Sequence, residues 1–281
     1  SGDVDGMPKN GLHPYMRDFT VQLNGAMLKY NVAYVTDSTY AKNGIIKSKK
    51  LPEVISSIQD ENYVDFFYVY YFKAKFKKGL NIIKHTYNYD LSGSVSDRYS
   101  FEYVLTAANR WSNKQIDDFT LILDMGEFES FKINKDFFKD GNDWLINGIG
   151  KSKEVKGVKD SDEEKDAVRF HIQKGNLVFH KMNFHPKGEL FVYEPSGYQN
   201  SPRTGRLPFS YYLQNTIEGP KTELEKKILK NLPFARRGYI FQNADLKSFF
   251  EKQEWYIPNP NYEPDVDRLT ETEKQWINKW Q

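Results

Sequence analysis

The stretch of sequence that decides the fold is residues 232–241, which read LPFARRGYIF. Ala235 is small enough for a second helix to pack closely against it, and Gly238 can adopt the left-handed conformation that ends a helix. Arg236 and Arg237 then lie in the last turn, where positive charge complements the negative end of the helix dipole. The stretch therefore predicts the end of a packed helix.

The sequence around this stretch continues the helical pattern. Two Thr-x-x-Glu capping boxes, which begin at Thr222 and Thr270, each precede a helix-period segment. Residues 245–250 read as a short helix, and the aromatic and proline-rich strap at 255–262 reads WYIPNPNY. We therefore predict that 216–281 is a small all-α module.

These segments together resemble the YARHG domain, a small helical module of bacterial envelope and secreted proteins that is named for its own motif. The resemblance is carried by the motif itself, by the aromatic Tyr239 and Phe241 behind it, by the short helix, by the strap and by the closing LTETE at 269–273. It implies a location in the cell envelope or outside the cell. Residues 1–6, SGDVDG, look like the start of a trimmed mature protein, so a secretion signal or lipid-anchor segment, if one existed, would already have been removed. The resemblance implies no activity, because the domain has no established biochemical role.

Two residues depart from the family pattern. This chain has Phe234 where the family has Tyr, and Arg237 where it has His. A guanidinium cannot be deprotonated in a protein, so Arg237 cannot serve as a general base. We favour a structural role for Arg236 and Arg237; the alternative is a binding site for an anion or carboxylate that uses both.

The strap is the other candidate binding surface. Trp255, Tyr256 and Tyr262 offer flat faces with polar edges, which suit stacking on sugars or receiving an extended peptide. Alternatively, the strap lies over the helices and seals their small core. Together with the two arginines, these three aromatic residues are the candidate binding residues.

The rest of the chain, 1–215, reads as antiparallel β-structure. Aromatic residues make up 16% of the sequence, and many short alternating segments follow one another with turn signals between them. No helix long enough to cross between parallel strands separates them. We predict a β-sandwich-like domain at 1–215, with an exposed loop at 148–166, and leave open whether it is one domain or two.

Local signals place several elements. Asn24-Gly25 has the preferred type I′ turn sequence, so a hairpin is expected between 19–23 and 26–35. A short helix is expected at 51–58, and a long hairpin between 63–76 and 83–89 is expected to form the spine of this domain. Further strands are predicted at 101–105, 119–124 (deep in a sheet), 128–133, 167–172, 177–180 and 189–193.

Composition excludes several classes. Lys and Arg number 40 against 38 Asp and Glu, which gives no basic footprint for nucleic acid. There is no cysteine, so disulfides and thiolate chemistry are excluded. No run of about 18 apolar residues is present to span a bilayer as a helix.

The histidines and carboxylates give weak signals for chemistry. His171 and His180 would lie opposite each other if a hairpin turn were centred on 175–176, and a metal could then bridge them. The acidic run 160–166 alternates like a calcium loop, but it lacks the glycine and the final glutamate of that motif. We therefore expect no metal and no cofactor, and the usual nucleophile, phosphate and dinucleotide motifs are absent.

Paired carboxylates such as Asp117 and Asp118, or Asp124 with Glu127, are the remaining acid–base candidates. Their linear spacing does not show whether they meet across a cleft. No catalytic residue is assigned.

The sequence thus favours a non-catalytic binding or scaffolding protein of the envelope, with a cell-wall, glycan or protein ligand. One alternative is a hydrolase of cell-wall glycan or peptide, with a site in the groove between the β-rich region and the helical module. That enzyme would need a buried carboxylate or histidine of perturbed pKa in a concave pocket. Another alternative is a peptidase-inhibitor-like protein, for which 194–208 would be the exposed loop.

Overall fold

The computed structural model of the protein describes residues 8–35, 46–59, 67–91, 97–161, 164–195, 217 and 219–280. The chain forms two compact units, Ser1–Asp90 and Leu91–Gln281. Antiparallel sheets precede a C-terminal group of helices, so the predicted mainly β fold with a helical C-terminal module is confirmed. The domain boundary expected between 215 and 216 stays a prediction.

The first unit contains two small sheets and one helix. One sheet has the strand order β2-β1-β5, and the other pairs β3 with β4, all antiparallel. The elements are β1 (Met16–Leu23), β2 (Ala26–Met27), β3 (Tyr30–Val35), α1 (Leu51–Gln59), β4 (Phe67–Phe72) and β5 (Ile83–Tyr89). The helix α1 confirms the helix predicted at 51–58.

The first hairpin prediction for this unit is confirmed at its turn and for 26–27, but it is wrong for 30–35, which pairs with β4 instead. Asn24 and Gly25 both have positive φ, 51° and 84°, as a type I′ turn requires. The long hairpin is wrong, because β5 pairs with β1 and β4 pairs with β3. The Asn24 backbone N–H donates to the Ile82 carbonyl at 2.8 Å, and the Ile82 backbone N–H donates to the Asn24 side-chain oxygen at 2.9 Å. These two hydrogen bonds align the start of β5 with β1. The predicted strand residues 63–66 lie outside the described residues.

The second unit begins with a six-stranded curled sheet. Its order is β6-β11-β8-β10-β7. The long strand β10 pairs with β8 through residues 167–172, with β7 through residues 177–184 and with β9 through residues 167–179. The strands are β6 (Asp97–Tyr103), β7 (Ile116–Leu123), β8 (Glu129–Asn134), β9 (Trp144–Val155), β10 (Ala167–Phe184) and β11 (Leu190–Pro195). Because β7 stands at the end of this order, the prediction that it lies deep in the sheet is wrong.

The strand β10 replaces two predicted strands and the turn between them. The register shifts between Ile172 and Lys174, and the strand then continues through Gly175. A Cβ on Gly175 would meet the Asn147 carbonyl at 2.1 Å. Glycine is therefore needed here for close approach to β9, and the sequence reading of it as a turn is wrong. Since β9 continues to Val155, the first part of the loop predicted at 148–166 is strand.

One face of this sheet encloses an apolar core, and the other, which we call the polar face, carries charged side chains near Arg169 but also the exposed Ile122 and Leu145. The core side chains alternate along the strands as a pleated sheet requires. They include Leu123, Phe131, Ile133, Trp144, Val168, Phe170, Leu177, Phe179, Phe184, Leu190 and Val192. Arg169 and His171 alternate with these residues on β10 and therefore point away from this core.

The C-terminal helices are α2 (Glu223–Ala235), α3 (Ala244–Glu251) and α4 (Glu271–Lys279). Both predicted capping boxes are formed, by Thr222 with Glu225 and by Thr270 with Glu273. The buried residues of their core are Ile228, Leu229, Leu232, Ala235, Phe241, Leu246, Phe250, Trp255, Tyr256 and Trp276. Within the described ranges, no helix has the length and hydropathy to span a membrane.

Candidate functional site

The motif at 232–241 contains the end of α2, as expected, but the helix ends at Ala235, so the prediction that Arg236 and Arg237 lie in its last turn is wrong. Ala235 is fully buried, and Gly238 has φ +84°. The Gly238 carbonyl accepts a 2.8 Å hydrogen bond from the Asn259 backbone, and a Cβ on Gly238 would lie 2.4 Å from the Ile257 carbonyl. The glycine therefore both ends the helix and lets the strap approach it closely.

Arg237 forms a buried ion pair inside the helical region. Its two terminal nitrogens donate to the two Glu273 oxygens at 2.5 and 2.9 Å, and one also donates to the Pro233 carbonyl at 2.8 Å. Burial alone would raise the pKa of Glu273, which is 2% exposed, but the hydrogen bonds from Arg237 and Thr270 lower it below its usual value. Arg237 thus binds a carboxylate of its own chain.

Arg236 lies 4.0 Å from the same Glu273 carboxylate, but it also contacts the turn before β8, where Arg237 is 5.1 Å from the Phe128 ring. The guanidinium carbon of Arg236 lies 3.9 Å from the centroid of the Phe128 ring, and its carbonyl accepts a 2.9 Å hydrogen bond from the Gln173 side chain. Phe128 has φ +61°, which is unusual for a bulky residue. The strained turn before β8 therefore presents an aromatic face to the arginine of the motif.

The aromatic residues of the strap are built into the helical core. Trp255 and Tyr256 are buried, and the Tyr256 hydroxyl donates to the Tyr239 carbonyl at 2.8 Å. Tyr262 is half-buried and packs against the small cluster that includes Phe234. These positions match the alternative in which the strap seals a core. A ligand at these residues stays a prediction.

The strap also contacts the polar face of the sheet along a surface that we call the seam. Lys151 on β9 donates to the Tyr256 carbonyl at 3.0 Å. Lys153 forms an ion pair with Glu254, and Arg169 lies 3.7 Å from the same carboxylate. The hydrogen bond from Lys153 lowers the pKa of Glu254, and burial lowers the pKa of Lys151. The seam therefore joins the sheet to the helical region mainly through charge-assisted hydrogen bonds.

A small cavity lies within the seam. It has about 10 Å³ of space open to the centre of a water molecule, which is room for about one water. Its lining consists of Phe128, His171, Ile172, Gln173, Arg236, Trp255 and Ile257. Among the described residues, neither ring nitrogen of His171 nor the side-chain oxygen of Gln173 has a hydrogen-bond partner.

The imidazole of His171 is buried in the seam. The side chain is 6% exposed. Burial, aided by the positive charges of Arg169 and Lys151, lowers its pKa from 6.5 to about 4. The imidazole is therefore neutral at pH 7.

The other predicted site residues are spread over the second unit. His171 pairs with Lys151 and Ser130, while His180 pairs with Thr120 and bonds Asp118 at 2.8 Å. The strand therefore does not bring the two histidines opposite each other. In the part of the chain that the structure describes, no cluster of three or more metal-ligating side chains is found.

The candidate carboxylates form local bonds. Asp117 accepts hydrogen bonds from Asn113 and Gln115, and Asp124 accepts one from the Gly126 backbone. In the acidic run, Asp166 accepts from Lys156; residues 162 and 163 of that run lie outside the described residues. The inhibitor-like loop is likewise described only as far as residue 195.

An aromatic cluster in the first unit was missed by the sequence analysis. The His13 ring lies 4.7 Å from Tyr68, 5.7 Å from Tyr89 and 5.9 Å from Tyr15, measured between ring centroids. Burial lowers the pKa of His13. The only sequence signal was the alternation of tyrosines in β5, because His13 reaches them through long-range pairing.

Three tyrosines at the edge of this cluster are exposed, and we call them the tyrosine platform: Tyr15, Tyr87 and Tyr89. Tyr87 and Tyr89 are two residues apart on β5, so they lie on the same face of that strand. Phe19 stacks on Tyr87 at 6.5 Å. The platform rings are therefore supported from within the unit while one part of each remains open to solvent.

Comparison with known proteins identifies one region. The family model described as YARHG domain matches residues 210–281, so the C-terminal region carries a YARHG domain. The N-terminal region has no family assignment. No curated protein matches the chain.

One solved structure is similar over 99% of this chain and 75% of its own. It comes from Legionella pneumophila subsp. pneumophila and is described as a "putative nutrient binding protein"; its identity to this chain is 15% and its TM-score is 0.39. A similarity of this size carries no argument about fold or ligand.

Proposed function

We propose that this protein is a non-catalytic binding protein of the bacterial envelope, and that its ligand is a glycan of the cell wall or cell surface. The observation that carries the proposal is the tyrosine platform. Exposed, immobilised aromatic rings stack on the apolar faces of sugar rings at little cost in side-chain entropy. A location outside the cytoplasm, with a lipid anchor as one means of attachment, is part of the same proposal.

The helical YARHG domain has a supporting role in this proposal. Its motif residue Arg236 and its strap residue Tyr256 both contact the sheet, and Arg237 is held by Glu273. The side chains that first suggested a ligand site thus form internal contacts. We assign the domain to scaffolding of the second unit, and ligand binding to the first.

The alternative of a hydrolase depends on the seam. That seam contains the buried histidine of lowered pKa that such an enzyme would need. Its cavity, however, has room for about one water, and a sugar ring is many times larger. A substrate would enter only if the strap moved away from the sheet, so the geometry favours binding at the platform.

The proposal is tested by retention of the purified full chain on insoluble cell-wall material. The variant Tyr15→Ala, Tyr87→Ala, Tyr89→Ala should lose retention by roughly tenfold or more, since each stacked ring contributes on the order of 1 kcal/mol. Tyr103→Ala is the matched control, because Tyr103 is similarly exposed in the second unit. Its retention should equal that of the parent.

Each outcome decides the proposal once circular dichroism has shown that the variants are folded. Equal retention of the triple variant and the parent would overturn the assignment to the platform. Failure of the parent to bind any cell-wall preparation would overturn the glycan as ligand. Elution by soluble cell-wall oligosaccharides, but not by salt, would support stacking over charge.

A further inference from the structure

The connection between β4 and β5 is an exposed apolar surface, and we call it the tip. Its side chains Phe76, Leu80 and Ile82 are 63%, 77% and 59% exposed. Met27 on β2 is 61% exposed as well; it follows the Asn24-Gly25 turn, and Asn24 bonds Ile82 of the tip. Soluble proteins rarely place several large apolar side chains together in water unless they bind something.

The tip is held in one conformation by hydrogen bonds. The Asn81 side chain accepts from the Lys77 backbone at 3.0 Å and donates to the carbonyls of Lys77 and Gly79 at 2.8 and 2.9 Å. Gly79 has φ +89°, which permits the sharp turn. Asn24 bonds both backbone groups of Ile82. The apolar side chains are therefore displayed by a structured turn.

The segment of chain that contains the tip carries charge of one sign. Between residues 67 and 89 the sequence has five lysines and no aspartate or glutamate. All five lysines are exposed: Lys73, Lys75, Lys77, Lys78 and Lys84. An excess of positive charge in a segment that displays exposed apolar side chains complements a surface that is anionic outside and apolar beneath.

We propose that the tip docks onto the surface of a membrane that contains anionic lipid. Phe76, Leu80 and Ile82 would enter the boundary between headgroups and acyl chains, while the lysines extend along the surface to the lipid phosphates. Docking of this kind needs no spanning helix. This proposal is independent of the glycan-binding function.

The position of the tip is compatible with a second binding surface on the same unit. The tip adjoins the first residue of β5, Ile83, and the tyrosine platform includes the last, Tyr89. A strand of this length separates its ends by roughly 20 Å. If β5 extends away from the membrane, docking through the tip keeps Tyr89 beyond the headgroup layer.

The experiment is co-sedimentation of the full chain with two kinds of vesicle. One contains phosphatidylcholine alone, and the other contains phosphatidylcholine mixed with phosphatidylglycerol. The parent should bind the anionic vesicles at least tenfold more tightly, and added salt should weaken that binding. Equal binding to both vesicles, or none to the anionic vesicles, would overturn the proposal.

Two variants separate the apolar and the electrostatic contributions. Phe76→Ser, Leu80→Ser should weaken binding to anionic vesicles by roughly tenfold or more, and Lys77→Gln, Lys78→Gln by roughly tenfold or more. The matched controls are Leu145→Ser and Lys139→Gln, Lys159→Gln, which change exposed residues of the second unit. These controls should bind like the parent.

A soluble anionic polymer distinguishes the membrane from other anionic partners. Polyaspartate should compete poorly with the anionic vesicles, because it offers charge without an apolar layer. If the Phe76→Ser, Leu80→Ser variant bound vesicles as the parent does, and polyaspartate displaced both equally, the tip would be a polyanion site and the membrane proposal would fail.

Discussion

At the scale of single residues, the two neighbouring arginines of the YARHG motif contact the same two residues, Glu273 and Phe128, but each lies closer to a different one. Arg237 binds Glu273 through both terminal nitrogens, and this fork geometry is specific to a guanidinium. Arg236 stacks on Phe128, and its carbonyl accepts a hydrogen bond from Gln173 of the sheet. The carboxylate site that the sequence left open as an alternative is thus occupied by the chain's own Glu273.

We expect Arg237→Ala to lower the free energy of unfolding by about 3 kcal/mol, because it removes both hydrogen bonds from Arg237 to the buried Glu273 carboxylate and leaves that carboxylate with the more distant Arg236, at 4.0 Å. Arg237→Lys should lose less, since the charge remains while the second hydrogen bond is lost. Urea denaturation followed by tryptophan fluorescence measures both changes.

Arg268→Ala is the control for this prediction. Arg268 forms an ion pair with Asp265 on an exposed surface, where such pairs contribute at most about 1 kcal/mol. A loss in Arg237→Ala no greater than that in Arg268→Ala would show that the buried pair does not hold the helical region together.

At the scale of elements, the sequence predicted what depends on neighbouring residues. The turn at Asn24-Gly25, both capping boxes and the end of α2 before Gly238 follow from local backbone and side-chain chemistry, and all are formed. Strand pairing does not follow from local chemistry, so the partner of β5 was wrong. Gly175 was also misread, because its need for close approach arises from Asn147 on another strand.

The close approach of Gly175 on β10 to the backbone of β9 leads to a prediction about stability. Gly175→Ala should lower the free energy of unfolding by roughly 2 kcal/mol or more, because the new Cβ meets the Asn147 carbonyl and the residue has φ +105°. Residue 25 also has a positive φ, but a Cβ there would meet nothing within 4 Å. The loss of stability in Gly25→Ala should therefore measure the cost of backbone strain alone.

Gly219→Ala completes this comparison, since a Cβ there meets nothing within 4 Å and its φ is not positive. Its thermal unfolding should match that of the parent. If Gly175→Ala were no worse than Gly25→Ala, close approach would not be the reason for glycine at position 175, and the strand would have to separate locally from β9.

At the scale of the whole molecule, the candidate site could be predicted only in part. The sequence named Arg236, Trp255 and His171, and all three line the same cavity. The sequence does not predict that these three residues are close in space, because His171 belongs to a strand of the sheet and the other two belong to the helical domain. Their convergence follows from the docking of the strap on the polar face of β9 and β10, which no local pattern records.

This docking makes stability depend on pH through His171. Its pKa is about 4 in the folded protein and 6.5 in the unfolded chain, so between these values the unfolded chain binds more protons. The stabilising contribution is therefore complete above pH 6.5 and is lost as the pH falls toward 4. Arg169, Lys151, Lys153 and Arg236 oppose protonation of the imidazole, and Glu254 favours it.

We expect the free energy of unfolding to fall by about 2 kcal/mol between pH 7 and pH 5, a range above the pKa values of the carboxyl groups. His171→Gln removes this titration and should flatten the dependence, measured by urea denaturation at each pH. His180→Gln, which removes an exposed histidine from the same strand, should retain the slope of the parent. If His171→Gln kept the pH dependence of the parent, the loss of stability would not come from His171. The imidazole of the parent would then be in contact with water, and the seam would be open at neutral pH.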